Sequence, residues 1–320
     1  QVPGNIQATK LLAATLLKRQ EPDKAVELME PGVSAAAGDA QYLAILGGAY
    51  LAQGDASTGM EYMEKAIALA PDVAALRTQL AIGQLIGGDV DQAVSVLQAA
   101  VDLEQGLYQA DLMLVLIYLQ QEDFDNALSA AEALLVKMPE SPIPLNLKGA
   151  ALLGRGDQPE ARNAFEAALR IQPDFIPAHL NLARLDLLGG DTAAAEARYR
   201  KVLTQDAGNL KALLALAALA QRDGRVGETE KHLKAALEHH PDETKPALML
   251  VEYYLQQDDK RRALDLAREI AVAQPRNPVA LNALVVVQLQ SGEYKDALGT
   301  LRSLVEVDPV SYTHLRAHET

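Results

Sequence analysis

The chain contains no cysteine and no tryptophan, and aromatic residues make up only 4% of its 320 positions. Without cysteine there is no disulfide framework, no thiolate metal site and no cysteine nucleophile, and the redox compartment stays open. Few aromatics leave little surface for stacking on bases. A net charge of −14 also works against holding a phosphate backbone, which needs clustered Lys and Arg, so nucleic acid is not expected as a partner. No apolar run approaches the ~18 residues of a membrane span; Leu112 to Leu119 and Ala212 to Ala220 are among the longest. There is no Gly-rich phosphate loop, no nucleophile elbow and no Asn-x-Ser/Thr acceptor. Carboxylates are abundant but fall in turn slots and on outer helix faces. No catalytic residue, metal ligand or cofactor is therefore expected.

What is present is apolar bulk and acid. At 49% apolar residues the chain can bury a sizeable core, as one large domain, two ordinary ones or an array. The charge is uneven: residues 1–160 carry 9 Lys and Arg against 21 Asp and Glu, a balance of −12, whereas residues 161–320 carry 20 against 22, a balance of −2. The two halves thus offer different surfaces. The sequence starts at Gln1 with neither Met nor a signal-peptide pattern, so it reads as a processed or excised piece.

One tripeptide raises a question. Arg155-Gly156-Asp157 spells an adhesion signal, yet stepping by 34 residues finds the same slot as Gly189-Gly190-Asp191, Asp223-Gly224-Arg225 and Ser291-Gly292-Glu293, and backwards as Gly87-Gly88-Asp89 and Gln53-Gly54-Asp55. Only a turn recurs. Gly156 is placed to end one helix at positive φ, and Asp157 to N-cap the next, with Glu160 completing a capping box as Gln92 does for Asp89. Pro71, Pro139, Pro173, Pro241, Pro275 and Pro309 share one phase of the same period and are placed to stop each second helix, while Gln105 and Ala207 fill the two missing slots.

Counting units as 40–73, 74–107, 108–141, 142–175, 176–209, 210–243, 244–277 and 278–311, the eighth place is always small or β-branched, as in Gly47, Ala81, Val115 and Gly149. The twentieth is Ala in six units, with Gly59 and Thr229 as exceptions. Apolar spacing between these anchors is helical, so each unit reads as helix, turn, helix. On these columns the chain resembles the tetratricopeptide repeat family over about residues 35–311 and more loosely over 6–34, where Ala13 and Ala25 keep the phase but Pro31 and Gly32 end the second helix early. The resemblance implies an all-α, right-handed superhelical solenoid: a degenerate or edge repeat in 1–39, eight regular units in 40–311, and a non-native-looking tail in 312–320. A narrower resemblance, carried by the wording of GGDTAAAEARYRKVL, is to the large tetratricopeptide proteins that accompany bacterial exopolysaccharide and exosortase (PEP-CTERM) systems.

In this family a concave face is lined by places 2, 5, 9, 12 and 13 of each first helix. Here those places include Ala75, Thr78, Ile82, Leu85 and Ile86, then Gln109, Leu112, Leu116, Leu119 and Gln120, an aliphatic groove. The Lys and Asn clamp of the chaperone-tail binders is absent from the first four units, and the asparagine ladder of the sugar-transferase arrays is reduced to Asn181. Farther along, Arg184, Lys211, Arg222 and Lys245 occupy inward places beside Leu180 and Leu187, either as ligand contacts or as solvated cations neutralised by Asp186 and Glu252. His314 and His318 stand four apart in the tail, His239 and His240 close a second helix, and His179 and His232 are isolated along the chain. The expected function is a non-catalytic scaffold that binds a protein or peptide segment, acidic at the basic places. The alternatives are an accessory component of an envelope exopolysaccharide-export or sorting machine, binding an anionic polysaccharide, and a regulatory array excised from a larger enzyme. Periplasmic or envelope placement follows from the first alternative; otherwise the chain is expected in the cytoplasm.

Overall fold

The computed structural model describes residues 5–103 and 108–307. Every regular element among them is a helix. The chain divides into two compact units, Gln1–Phe175 and Ile176–Thr320. In the first, helix pairs follow one another: α1 (Ile6–Lys18) with α2 (Pro22–Met29), α3 (Ala40–Gln53) with α4 (Ala56–Leu69), and α5 (Ala74–Ile86) with α6 (Val90–Leu103). The pairs α7 (Tyr108–Gln120) with α8 (Phe124–Lys137) and α9 (Pro142–Arg155) with α10 (Gln158–Ile171) complete it. The second holds α11 (Ile176–Leu188) with α12 (Thr192–Gln205), α13 (Leu210–Arg222) with α14 (Val226–His239), α15 (Thr244–Gln256) with α16 (Lys260–Ala273), and α17 (Pro278–Gln290) with α18 (Tyr294–Val307). Each unit is therefore a solenoid of 34-residue helix-turn-helix repeats. The tail 312–320, with His314 and His318, lies outside the described residues.

The small places are where paired helices meet. Ala81 and Ala93, Val115 and Ala127, Ala183 and Ala195, and Ala217 and Thr229 are wholly buried at places 8 and 20 of their repeats. Gly47 shows how tight the contact is: a Cβ there would lie 2.8 Å from the backbone oxygen of Gly59. First helices of neighbouring repeats also touch in the pairs α1–α3, α3–α5 and α7–α9 of the first unit and α15–α17 of the second. The second helices fill the spaces behind them, each packing on the first helix of its own repeat and on the next within its unit.

The turns repeat with equal regularity. Positive φ recurs at 20, 54, 88, 122, 156, 190, 224, 258 and 292, one residue every 34, held by Gly six times and by Gln20, Glu122 and Asp258 otherwise. Aspartates N-cap the second helices from Asp55, Asp123, Asp191 and Asp259, each accepting a backbone N–H three residues on. Proline is not required to end these helices. The repeat with Ala207 in the proline slot stops α12 at Gln205, the same place at which Ile171 ends α10 and His239 ends α14. The edge repeat differs: α2 runs only eight residues, and a 3-10 turn over Glu30–Gly32 follows where Pro31 interrupts the helical N–H pattern.

Three ion pairs reach into this packing. Lys10 donates to Asp39 at 2.8 Å, Lys137 to both oxygens of Asp111 at 2.8 and 2.9 Å, and Arg198 to Asp186 at 2.7 Å; Lys10, Asp111 and Asp186 are buried. The Lys10 ammonium, with help from the Tyr42 N–H, holds the Asp39 carboxyl below its ordinary range. A hydrogen bond from Lys234 does the same for Glu230, and the Arg262 backbone N–H for Asp259.

Two predictions follow from this packing. Gly47→Ala should lower stability by about 1–3 kcal/mol, because the obstructing atom is backbone and cannot swing aside, whereas Gly299→Ala, in open space within α18, should raise it by about 0.5–1 kcal/mol; urea titrations compare the two. The depressed carboxyls contribute stability that is complete above their unfolded pKa values near 4 and is lost as pH falls through the lower folded values. Helicity should therefore be unchanged from neutral pH to about 5 and fall cooperatively below about 4; a melting temperature that rises on acidification through this range contradicts it.

Candidate functional site

Because the first helices carry the inward register, the site is built from places 2, 5, 9, 12 and 13. In the first unit these places hold no ionisable side chain in α3, α5, α7 or α9. Ile86 is 52% exposed and Leu116 49%, while Ile82, Leu112 and Leu119 are half-buried along the same stripes. Thr78 does not belong to the accessible face: it is buried and its hydroxyl donates back to the Ala74 carbonyl at 3.1 Å. A groove of about 500 Å³ opens between α1, α3 and α5, floored by Ala14, Ala44, Ile45, Gly48 and Ala75, with Gln41 and Gln79 as its polar lining. Gln41, Ala44, Gly48 and Ala75 fall at inward places of their repeats, whereas Ile45 does not, and the groove they form is visible only once the neighbouring helices are in place.

In the second unit the basic places fall apart into different settings. Lys211 and Lys245 stand at the second place of α13 and α15, exposed, and Arg184 is exposed at the ninth place of α11. Among the described residues none of the three forms an ion pair. Arg222 is different, since its guanidinium holds Asp223 at 3.1 Å at the end of α13. Lys211 and Arg222 are eleven residues apart on one helix, about 16 Å at 1.5 Å per residue, so they cannot grip one small group. The expected neutralisation of Arg184 by Asp186 is corrected: Asp186 is turned inward, buried, and paired with Arg198 of α12. Glu252 is engaged by Gln256 at 3.3 Å, one turn along α15. Leu180 and Leu187 are half-buried, packed on the cluster around Tyr199 and Leu216.

One histidine joins neighbouring repeats. His240 Nε2 lies 2.5 Å from the Gly208 carbonyl, tying the end of α14 to the preceding inter-repeat turn, and Gln274 reaches the Asp242 carbonyl at 3.4 Å one repeat later. His239 is the last residue of α14.

Arg155-Gly156-Asp157 is a turn, with Gly156 at φ 97° closing α9. The cap expected of Asp157 is not made: its side chain accepts no backbone N–H of α10. The Arg155 Nε instead donates to Asp157 at 2.5 Å, and the same guanidinium reaches Asp125 at 3.2 Å. Proline at the second helical position removes one of the two donors an N-cap can use. Arg155 is thus part of the turn, not a bystander in it.

Comparison with known proteins fits this geometry. Three profiles of the tetratricopeptide repeat match the chain, one over residues 78–142, 112–175 and 248–312, one over 152–218 and one over 40–73. Over 74 residues the chain is 43% identical to cellulose synthase operon protein C of Xanthomonas axonopodis pv. citri (strain 306), which takes in 23% of this chain and 5% of that protein. Among solved structures, the C-terminal part of a TPR repeat-containing protein from Cytophaga hutchinsonii is similar with a TM-score of 0.56 and 16% identity, covering 74% of this chain and 97% of that one. PilW, described as a widely conserved type IV pilus biogenesis factor, gives 0.53 and 22%, covering 67% and 98%. At these identities the structural likeness is one of fold.

The caps yield a comparison. Asp191 accepts from the Ala194 N–H at 3.0 Å, so Asp191→Ala should cost about 1 kcal/mol. Asp157→Ala should cost clearly less, and Arg155→Ala should reproduce most of its effect because both remove the same contact. Equal losses for the two aspartates in thermal melts would restore the cap reading.

Proposed function

Because the chain belongs to the tetratricopeptide repeat family, we propose that it is a non-catalytic scaffold that holds a segment of a partner protein against the inward register of its first helices. The observation that carries this reading is the pair Ile86 and Leu116: large apolar side chains kept in water at equivalent faces of successive repeats. Repeat packing does not require them there, since places 8 and 20 already supply the helix contacts. A partner that covers them recovers roughly 25 cal/mol for each Å² of apolar surface removed from water.

The second unit supports a charged contact. Lys211, Lys245 and Arg184 stand exposed on first helices with no ion pair among the described residues, and the half-buried Leu180 and Leu187 lie on the same helix as Arg184. In a chain of charge −14, inward cations draw in an anion while the remaining surface repels it. The partner at this unit is an acidic protein segment. The stretch resembling cellulose synthase operon protein C favours a second reading, in which the array serves an envelope exopolysaccharide machine and the same cations meet an anionic polysaccharide.

One pair of changes tests both. Lys211→Ala with Lys245→Ala should weaken binding of a poly-glutamate peptide, or of alginate as the anionic polysaccharide, and flatten its dependence on salt while leaving helix content unchanged. Preference for the peptide supports the first reading and preference for alginate the second. Unchanged affinity for both at low salt means that these cations are solvated, and moves the site to the aliphatic face of the first unit.

A further inference from the structure

Residues 78–136 contain no Lys, Arg or His and nine Asp or Glu. The stretch covers all but the first turn of α5 and runs to the last turn of α8, two consecutive repeats. Three of its carboxylates are answered from outside it, Asp111 by Lys137, Asp125 by Arg155 and Glu132 by Lys148. Asp91 and Glu122 form no ion pair among the described residues. Both stand at the turn edge, Asp91 in the first turn of α6 and Glu122 just beyond α7, where the exposed apolar stripes end in Ile86 and Leu119.

Glu122 has φ 59°, the left-handed slot that Gly fills in six of the nine turns. A long acidic side chain is thus kept at a position where the backbone favours glycine. An anion would be repelled from this edge.

From this juxtaposition we infer that the α5–α8 block docks an amphipathic helix, apolar on one face and basic on its flank, the opposite charge preference from that of the second unit. The inference rests on the scaffold reading and names the partner of its aliphatic face. Buried residues of α5, α6 and α7 share one apolar cluster around Ala81, Leu97 and Leu114, so the outer side chains of α5 and α7 offer two rows on consecutive repeats. A helical occupant presents an apolar face at i, i+3, i+4 and i+7 that can run across both rows. Its apolar face covers Ile82, Ile86, Leu112 and Leu116. Its Lys or Arg side chains reach past the stripe ends to Asp91 and Glu122. The carboxylates add on-rate and choice of partner, and the buried aliphatic side chains hold it.

The test uses the full chain and two synthetic helical peptides of one pattern, Leu on one face with Lys elsewhere, and Leu on the same face with Glu elsewhere. Fluorescence anisotropy at low salt should show the Leu/Lys peptide binding at least about tenfold more tightly than Leu/Glu, a gap that closes at high salt. Glu122→Gly with Asp91→Asn should reduce that preference several-fold while the chain folds at least as stably, since glycine suits the turn. Ile86→Ser with Leu116→Ser should abolish binding with helix content intact. Glu27→Gln with Glu64→Gln, the same charge change on α2 and α4, should do little. If both peptides bind alike and both are lost with Ile86→Ser and Leu116→Ser, the scaffold reading stands and the charge inference falls. If neither binds, both fall for this face. Weakening by the Glu27 and Glu64 changes as great as by Glu122 and Asp91 also overturns the inference, because attraction to the acidic chain as a whole then explains the result.

Discussion

Everything in this chain depends on how closely two helices of a repeat can approach at one small residue. At Gly47 even a methyl group would strike the facing backbone, and at Ala81, Val115, Ala183 and Ala217 the contact is sealed from solvent. With the pair locked at that crossing, the turn must reverse the chain within three residues, which calls for one left-handed residue per repeat. The same crossing decides which side chains remain outside. Side chains one helical turn from it on the same face are buried whatever their chemistry, as Asp111 and Asp186 show by finding cations, and residues on the opposite stripe are released for other duties.

The division of charge gains meaning on that background. In the first unit the free stripe is aliphatic and carboxylates collect at the turns; in the second, lysines and arginines enter the stripe itself. One type of repeat therefore offers two kinds of contact without any change of backbone. The backbone fixes the spacing of the contacts and the variable places fix their sign.

The period, the helix ends and the small places were legible because each is written many times over, so chance resemblances in one column are outvoted by the others. What could not be read were interactions settled by a single neighbour. Asp157 occupies a capping slot, but a guanidinium two residues earlier wins its carboxylate over a backbone N–H. Asp186 lies two places from Arg184 in sequence, yet such neighbours on a helix point apart, and Arg198 on the facing helix is the one within reach. Thr78 has an inward number but returns its hydroxyl to its own helix. Prolines mark the helix ends faithfully without being required for them, since α12 stops on schedule with alanine in the slot. The groove beside Ile45 and Gly48 was legible only in part: Gly48 holds an inward place, but a hollow belongs to three helices jointly and to no residue in particular.

The substantial contacts within each unit join helices no more than two apart along the chain. Assembly of such a stack needs no distant segment to arrive before an earlier one can settle, so the entropic toll of closing long loops is avoided. A chain of this kind can organise in order of synthesis, each new hairpin finding its template in the hairpin just completed. An interrupted chain would then retain ordered repeats behind the break, whereas a fold stitched by remote strands would lose its whole core.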